Sequence, residues 1–353
     1  MPENSEGIML KKLSTAAVTT AVTLTVSVAG LAPATATSTT SETGTSARAA
    51  QSAGAASAGT TSATGTVDNA RTVAHFDLAK GQLPENVALS PGGTAYVTFA
   101  AARQIARVTP SGTTRILATL PEPADGGIHT PVLGFALTTG IVRAHDGTLY
   151  VLYATGTDVL TGLWRLRPGG EPRRIAPLPA GGLPNGLALD PRTRTLYITD
   201  SVLGVIWTVP TTGGTPSAWS TGPELASTGS LGANGLKIHR GAVWATNLDK
   251  GTLLRIPVLP GGRAGRVQTR ATGLAGIDDF DFTGRGDHVL ATLNGPSEVA
   301  LVRRDGTHST VLTAADGLRS PTSVALRGDR VYVLSAAYTT AEDPNLVLAH
   351  LKD

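Results

Sequence analysis

One short pattern returns six times along this chain: an oxygen-bearing side chain, an apolar strand, a turn, then a second strand centred on an aromatic or apolar residue. The copies open at Glu85, Thr139, Asn185, Asn234, Asp278 and Thr322, spaced 54, 46, 49, 44 and 44 residues apart. A period of about 40 to 50 residues is what one four-stranded propeller blade consumes. The second strands include Thr94-Ala95-Tyr96-Val97, Thr148-Leu149-Tyr150-Val151, Thr195-Leu196-Tyr197-Ile198, Ala242-Val243-Trp244-Ala245 and Arg330-Val331-Tyr332-Val333. Nothing between these strands has the length or the 3.6-residue period of a helix, and Gly 42 with Pro 22 supplies the turns. The pattern predicts an all-β fold, a six-bladed β-propeller of four-stranded blades. The last copy runs out after Leu346-Val347-Leu348-Ala349, so the segment from Thr72 to Leu78 is expected to return as the outer strand of the last blade and close the ring. The aromatics at one register, Tyr96, Tyr150, Tyr197, Trp244 and Tyr332, read as packing between blades.

Ahead of the repeat the chain changes character. Lys11 and Lys12 precede an uncharged stretch from Leu13 to Ala32 that ends in Ala34-Thr35-Ala36, the order of a secretory signal peptide cleaved near Ala36. A membrane anchor is the competing reading, although the threonines dilute the segment and no basic flank follows it. Residues 37–66 are nearly all Ser, Thr, Ala and Gly and read as a flexible linker, leaving residues 67–353 as the propeller. The mature chain is thus expected outside the cell, with no membrane span. Cys is 0, which removes disulfides, thiolate metal sites and cysteine nucleophiles together. The net charge of +3 comes from scattered arginines with no interleaved aromatic platform, which argues against a nucleic-acid partner. A small-molecule substrate or ligand at the upper channel mouth of a monomer is the expectation instead.

The residue before each inner strand carries an oxygen in all six copies, and in a propeller these positions converge on the axis. Glu85, Asn185, Asn234, Asp278 and Thr139 are therefore candidate ligands for one hard divalent cation such as calcium, which takes roughly six to eight oxygens. The competing reading is turn chemistry, since Asn, Asp and Thr before a strand often bond their own backbone. His129, Glu224 and Ser227 lie on connections expected to rise around the same mouth, and His129, Glu224 and Asp278 are the candidate acid-base groups. Asp279-Phe280-Asp281-Phe282-Thr283-Gly284 mimics the start of a calcium loop, but Leu290 stands at the twelfth position and supplies no carboxylate. Gly-x-Ser-x-Gly, His-Glu-x-x-His and phosphate-cradling Gly-Lys-Ser/Thr segments are all missing from the sequence, leaving serine-hydrolase, zincin and nucleotide-dependent chemistries without a handle.

Leu183-Pro184-Asn185-Gly186-Leu187-Ala188-Leu189-Asp190, running into Thr195-Leu196-Tyr197-Ile198-Thr199-Asp200-Ser201, resembles the senescence marker protein, gluconolactonase and luciferin-regenerating enzyme family. Leu83-Pro84-Glu85 followed by Ala88-Leu89-Ser90-Pro91-Gly92-Gly93 is similar to that family's opening blade. The resemblance implies a six-bladed propeller with an axial divalent cation, often calcium, and lactone hydrolysis. It gives Glu85 and Asn185 the first two ligand roles and places Asn234 where the family has an Asp credited with metal binding and proton transfer. Asp278, one blade on, restores the charge. Two functions stay open: a metal-dependent lactone or ester hydrolase, and a non-catalytic propeller that binds a ligand or protein around a structural axial ring.

Overall fold

The computed structural model describes residues 65–352, and the readings placed on residues 1–36 and 37–64 lie outside them. The alternating apolar runs form six four-stranded antiparallel sheets arranged as blades. The inner strands are Pro84–Leu89, Leu137–Arg143, Pro184–Asp190, Ala233–His239, Ile277–Phe282 and Pro321–Arg327, opening blades 1 to 6. Blades 1 to 5 are simple up-and-down meanders. In blade 6 the outermost strand is Thr66–His75, paired antiparallel with Asn345–Lys352, so the two ends of the described chain close the ring.

That closing strand begins at Thr66 and ends at His75, rather than spanning Thr72 to Leu78. Its sequence, TVDNARTVAH, buries only Val67 and Ala74, and two register shifts interrupt its ladder. An outer strand with one covered face does not announce itself by hydrophobicity, and its first residue, Thr66, falls in the stretch that reads as linker. Leu78 begins a short 3-10 turn instead, capped by the side chain of Asp77.

The apolar cores lie between blades. Tyr150 packs with Leu187, Leu196 and Ile198 of blade 3, Tyr197 with Leu236 and Val243 of blade 4, Trp244 with Phe280 and Val289 of blade 5, and Tyr332 with Val87 and Val97 of blade 1. The aromatic register of the repeat is a blade-to-blade packing register. At the corresponding place in blade 5, Leu290 packs against Val324 and Val331 of blade 6.

Every inner strand is also interrupted at the same point. Its pairing with the second strand slips around Glu85, Thr139, Asn185, Asn234, Asp278 and Thr322. Such a bulge aims a side chain out of the sheet and leaves buried backbone groups unpaired. Threonine hydroxyls pair the freed carbonyls across the blade boundaries. Thr98 Oγ1 donates to Thr139 O at 2.6 Å, Thr246 to Asp278 O at 2.6 Å, Thr292 to Thr322 O at 3.3 Å, and Thr199 to Asn234 O. Blades 2 and 6 carry Leu152 and Leu334 at that second-strand position. There the axial residues themselves take over, Thr139 donating to Pro184 O and Thr322 to Pro84 O, each at 2.8 Å. All six boundaries are bridged, and all six threonines are buried.

Removing one hydroxyl should leave a buried carbonyl unsatisfied. Thr246→Val is expected to cost about 1–3 kcal/mol by urea unfolding, while Thr208→Val, whose hydroxyl bonds Ser217 O in an exposed setting, should stay within about 0.5 kcal/mol. Equal effects at the two sites would show that the boundary bonds carry no special weight.

Candidate metal centre at the channel mouth

Because the bulges recur at one height, the residues they carry meet at one end of the axis. Glu85, Asn185, Asn234 and Asp278 are all buried, and their side chains are not spent on the threonine girdle. The hydroxyls of Thr139 and Thr322 are, and this gives Thr139 a structural duty where the sequence suggested a metal ligand.

The two carboxylates sense each other. Burial pushes the Glu85 carboxyl up to about 7, the Tyr338 hydroxyl donating to its Oε2 at 2.7 Å works against that rise, and the charge of Asp279 adds to it. Burial likewise raises Asp278 well above the ordinary carboxylate range, with the charges of Glu85 and then Asp279 pushing the same way. Hydrogen bonds from Asn294 and Asn234 pull it back in part. Asn294 Nδ2 stands 3.4 Å from Asp278 Oδ2. The Asn185 side chain forms no hydrogen bond to the described residues, and its amide oxygen is unclaimed. Among the described residues no three His, Asp or Glu side chains gather as a metal-binding group. The donor set is instead two carboxylates and two amides, all hard oxygens, and it fits a hard divalent cation that would relieve the repulsion between Glu85 and Asp278.

Tyr338 and Asn294 went unnoticed in the sequence. Both sit on connections between the second and third strands of a blade. Four of these connections have four residues, whereas the one in blade 6, residues 336–344, has nine and delivers Tyr338 to Glu85. That unequal length was the available signal.

One residue further along each inner strand lies a second layer, also unread. Asp279 accepts from Lys237 Nζ at 2.6 Å, from Ser323 Oγ at 2.7 Å and from Asn86 Nδ2 at 3.2 Å, joining blades 4, 5, 6 and 1 across the axis. In blades 2 to 4 the same register holds Gly140, Gly186 and Gly235. A Cβ at Gly186 would sit on Asn234 O, and one at Gly235 would meet Asp279 Oδ1 at 2.6 Å, so glycine there admits the neighbouring blade. Beyond this polar plug a cavity of about 570 Å3 opens toward the other face, walled by apolar residues such as Leu89, Leu189 and Phe282, with Asp281 at its side. Burial raises the Asp281 carboxyl, while the Lys237 charge and the Leu326 and Phe282 amides lower it. The Asp279 to Phe282 stretch is a strand, and neither aspartate belongs to a calcium loop.

The nominated proton-transfer residues stand apart. His129 is exposed, with Nε2 3.9 Å from Asp125 Oδ2, and Glu224 is held through its backbone carbonyl, which accepts from Asn247 Nδ2 at 2.9 Å. No bond joins either of them, or Ser227, to the axial residues.

No protein family's sequence model matches the chain, and no curated protein matches it in sequence. Solved structures do match in shape. A virginiamycin B lyase from Staphylococcus aureus shares 17% identity over 77% of this chain and 82% of its own, with a TM-score of 0.55. A calcium-binding protein, regucalcin, from Agrobacterium tumefaciens shares 18% over 76% and 90%, at 0.57. A gluconolactonase from Xanthomonas campestris shares 14% over 77% and 87%, at 0.55. The last two are of the group that the sequence resembles, and at these identities the likeness establishes the fold. Among the described residues no helix is long and apolar enough to cross a membrane.

In protein freed of divalent ions, the folded Glu85 carboxyl keeps its proton to higher pH than the unfolded one. The native state therefore binds more protons between about pH 4.5 and pH 7. Its stability is full below that window and lost as pH rises through it, by up to about 3 kcal/mol. Urea unfolding with chelator at pH 5 and pH 8 should show the loss, and Glu85→Gln should reduce it, leaving the part that the raised Asp278 carboxyl contributes with the same sign. A wild-type stability that is flat or rises with pH would contradict the assignment.

Proposed function

We propose that the protein is a divalent-cation-dependent hydrolase of lactones or similar esters, acting as a monomer on a small molecule at the upper channel mouth. The observation that carries this reading is the pair of buried, mutually repelling carboxylates, Glu85 and Asp278, set among the amides of Asn185 and Asn234. No lysine is among the groups that shift either carboxyl, and Lys237 is committed to Asp279. Four protein oxygens leave a calcium-like ion positions for substrate and water, since it takes roughly six to eight. When bound, the cation polarises a substrate carbonyl and stabilises the charge that develops on its oxygen.

The chain's own side chains prepare that site. Tyr338 and Asn294 each hold one carboxylate oxygen, fixing the orientation of Glu85 and Asp278. Proton transfer falls to His129 or Glu224 on the connections that rise at this end of the ring, or to Asp278 itself. The second reading, a non-catalytic ligand-binding propeller, is favoured by one observation: neither His129 nor Glu224 touches the ring, and Asn234 stands where the resembled family has its Asp. In both readings the protein works outside the cell, its leader removed near Ala36. N-terminal sequencing of protein from the culture medium tests that placement.

Calcium should raise the melting temperature, as any ligand selective for the folded state does. Titration calorimetry is expected to show binding abolished in Glu85→Gln, nearly abolished in Asp278→Asn and only weakened in Asn234→Ala, because removing a full charge costs more than removing one neutral amide. Turnover of a panel of five- and six-membered lactones and aryl esters should cease with chelator and return with calcium. Calcium binding without turnover would select the non-catalytic reading, and wild-type affinity in Glu85→Gln would remove the metal centre altogether.

A further inference from the structure

A second polar site lies between blades 1 and 2, on the face opposite the axial carboxylates. It is a cavity of about 610 Å3, bounded on one side by the outer strands of blade 1 and on the other by turns of blade 2 at Asp146-Gly147 and Pro168-Gly169-Gly170. Those turns join first to second and third to fourth strands, whereas Glu85 and Asp278 stand where the inner strands begin.

Four arginines line this cavity: Arg107, Arg115, Arg143 and Arg167. Arg107 and Arg115 are directly opposite each other in register on neighbouring strands, an arrangement in which like charges destabilise the sheet. Arg143 lies with its guanidinium carbon 5.8 Å from the centre of the Tyr96 ring, its Nε buried without a hydrogen-bond partner. Its Nη1 donates to Ala144 O at 3.3 Å. Arg103, Arg192 and Arg240 form ion pairs with acids, and none of the four cavity arginines stands within 4.0 Å of a carboxylate oxygen among the described residues. Asp146 and Glu171 are the acids on the wall; Asp146 Oδ1 accepts from the Thr148 amide at 2.9 Å, and the Thr148 hydrogen bonds, with a smaller contribution from the Arg143 charge, lower its carboxyl, so Arg143 is the one cavity arginine partly met by an acid. Four guanidinium groups against two carboxylates leave a charge of +2.

The scaffold does not require this arrangement. In blade 4 the equivalent register sets Arg255 opposite Gln268, whose amide oxygen accepts from Arg255 Nη1 at 3.2 Å, and in blade 3 it sets Thr208 opposite Ser217. Blade 2 repeats the paired arginines as Arg165 opposite Arg173, and neither of those lines the cavity. Repulsion kept in place around an open cavity is relieved by an anion. Guanidinium forks match the oxygens of a tetrahedral anion, and the charge of +2 matches a dianion.

We infer that the cavity between blades 1 and 2 binds a phosphate or sulfate group, free or carried on a small molecule. The volume exceeds that of the bare ion and lies in the range of small-molecule sites, which admits a phosphorylated sugar.

The test compares wild type with the double variant Arg107→Gln, Arg115→Gln, both residues lying exposed on outer strands. Thermal unfolding and titration calorimetry are run with potassium phosphate, potassium sulfate and glucose 6-phosphate against potassium chloride at matched ionic strength. Wild type should show a saturable rise in melting temperature with the dianions. The double variant should melt higher without added anion, through loss of the repulsion, and bind the dianions at least tenfold more weakly. Tighter binding of glucose 6-phosphate than of inorganic phosphate identifies a carried group, and equal binding identifies the free ion; both uphold the site. No saturable rise beyond chloride, or an undiminished affinity in the double variant, overturns it.

Discussion

The hydrogen bond from a buried threonine hydroxyl to the bulge carbonyl of the next blade is the interaction on which the rest of this propeller depends. An inner strand that ran straight would keep its ladder complete and direct nothing special toward the axis. The bulge trades ladder bonds for an aimed side chain, and the carbonyl it frees is sealed inside the ring, where water is not available to satisfy it. In blades 1, 3, 4 and 5 the donor comes from the second strand. That leaves Glu85, Asn185, Asn234 and Asp278 available for chemistry, whereas blades 2 and 6 spend Thr139 and Thr322 on the girdle. The division of the six axial positions into four whose side chains stay free of the girdle and two that join it thus follows from which second strands carry Thr and which carry Leu.

Electrostatics divides the molecule a second time. Acids accumulate along the axis on blades 5 and 1, and each is handled differently. Asp279 takes Lys237 and two neutral donors and forms a closed plug, so its charge is met within the protein. Glu85 and Asp278 receive hydroxyl and amide donors alone, which leaves their repulsion and desolvation without a compensating charge within the protein, the imbalance on which the proposed cation site rests. The opposite face carries the reverse imbalance in the arginines between blades 1 and 2. The two imbalances lie at opposite ends of the blades, with a polar plug and packed blade interfaces between them.

Fold class was legible because the information that specifies it is local and repeated. A strand of five to seven residues, a turn and an aromatic at fixed register recur whether or not the blade's partners are known, and the period counts the blades. The aromatic register, from Tyr96 to Tyr332, already contained the packing between blades, because a residue pointing off a blade's face has a neighbouring blade to meet. The closing strand was legible in existence and misplaced in extent, since a polar outer strand such as Thr66–His75 shows its role only through pairing with Asn345–Lys352.

The sequence by itself determined the ring, the number of blades and the set of side chains that could face the axis. Only the tertiary structure decided which of those side chains are free, that Tyr338 reaches Glu85 from 253 residues away, that Lys237 cancels Asp279, and that arginines from two blades enclose one cavity. The reason is physical: a repeat encodes where a side chain points, because pointing is set by strand register within about ten residues. What that side chain meets is set by the neighbouring blade or by the loop of a distant one, and whether a hydroxyl, an ammonium or nothing waits there is written elsewhere in the chain.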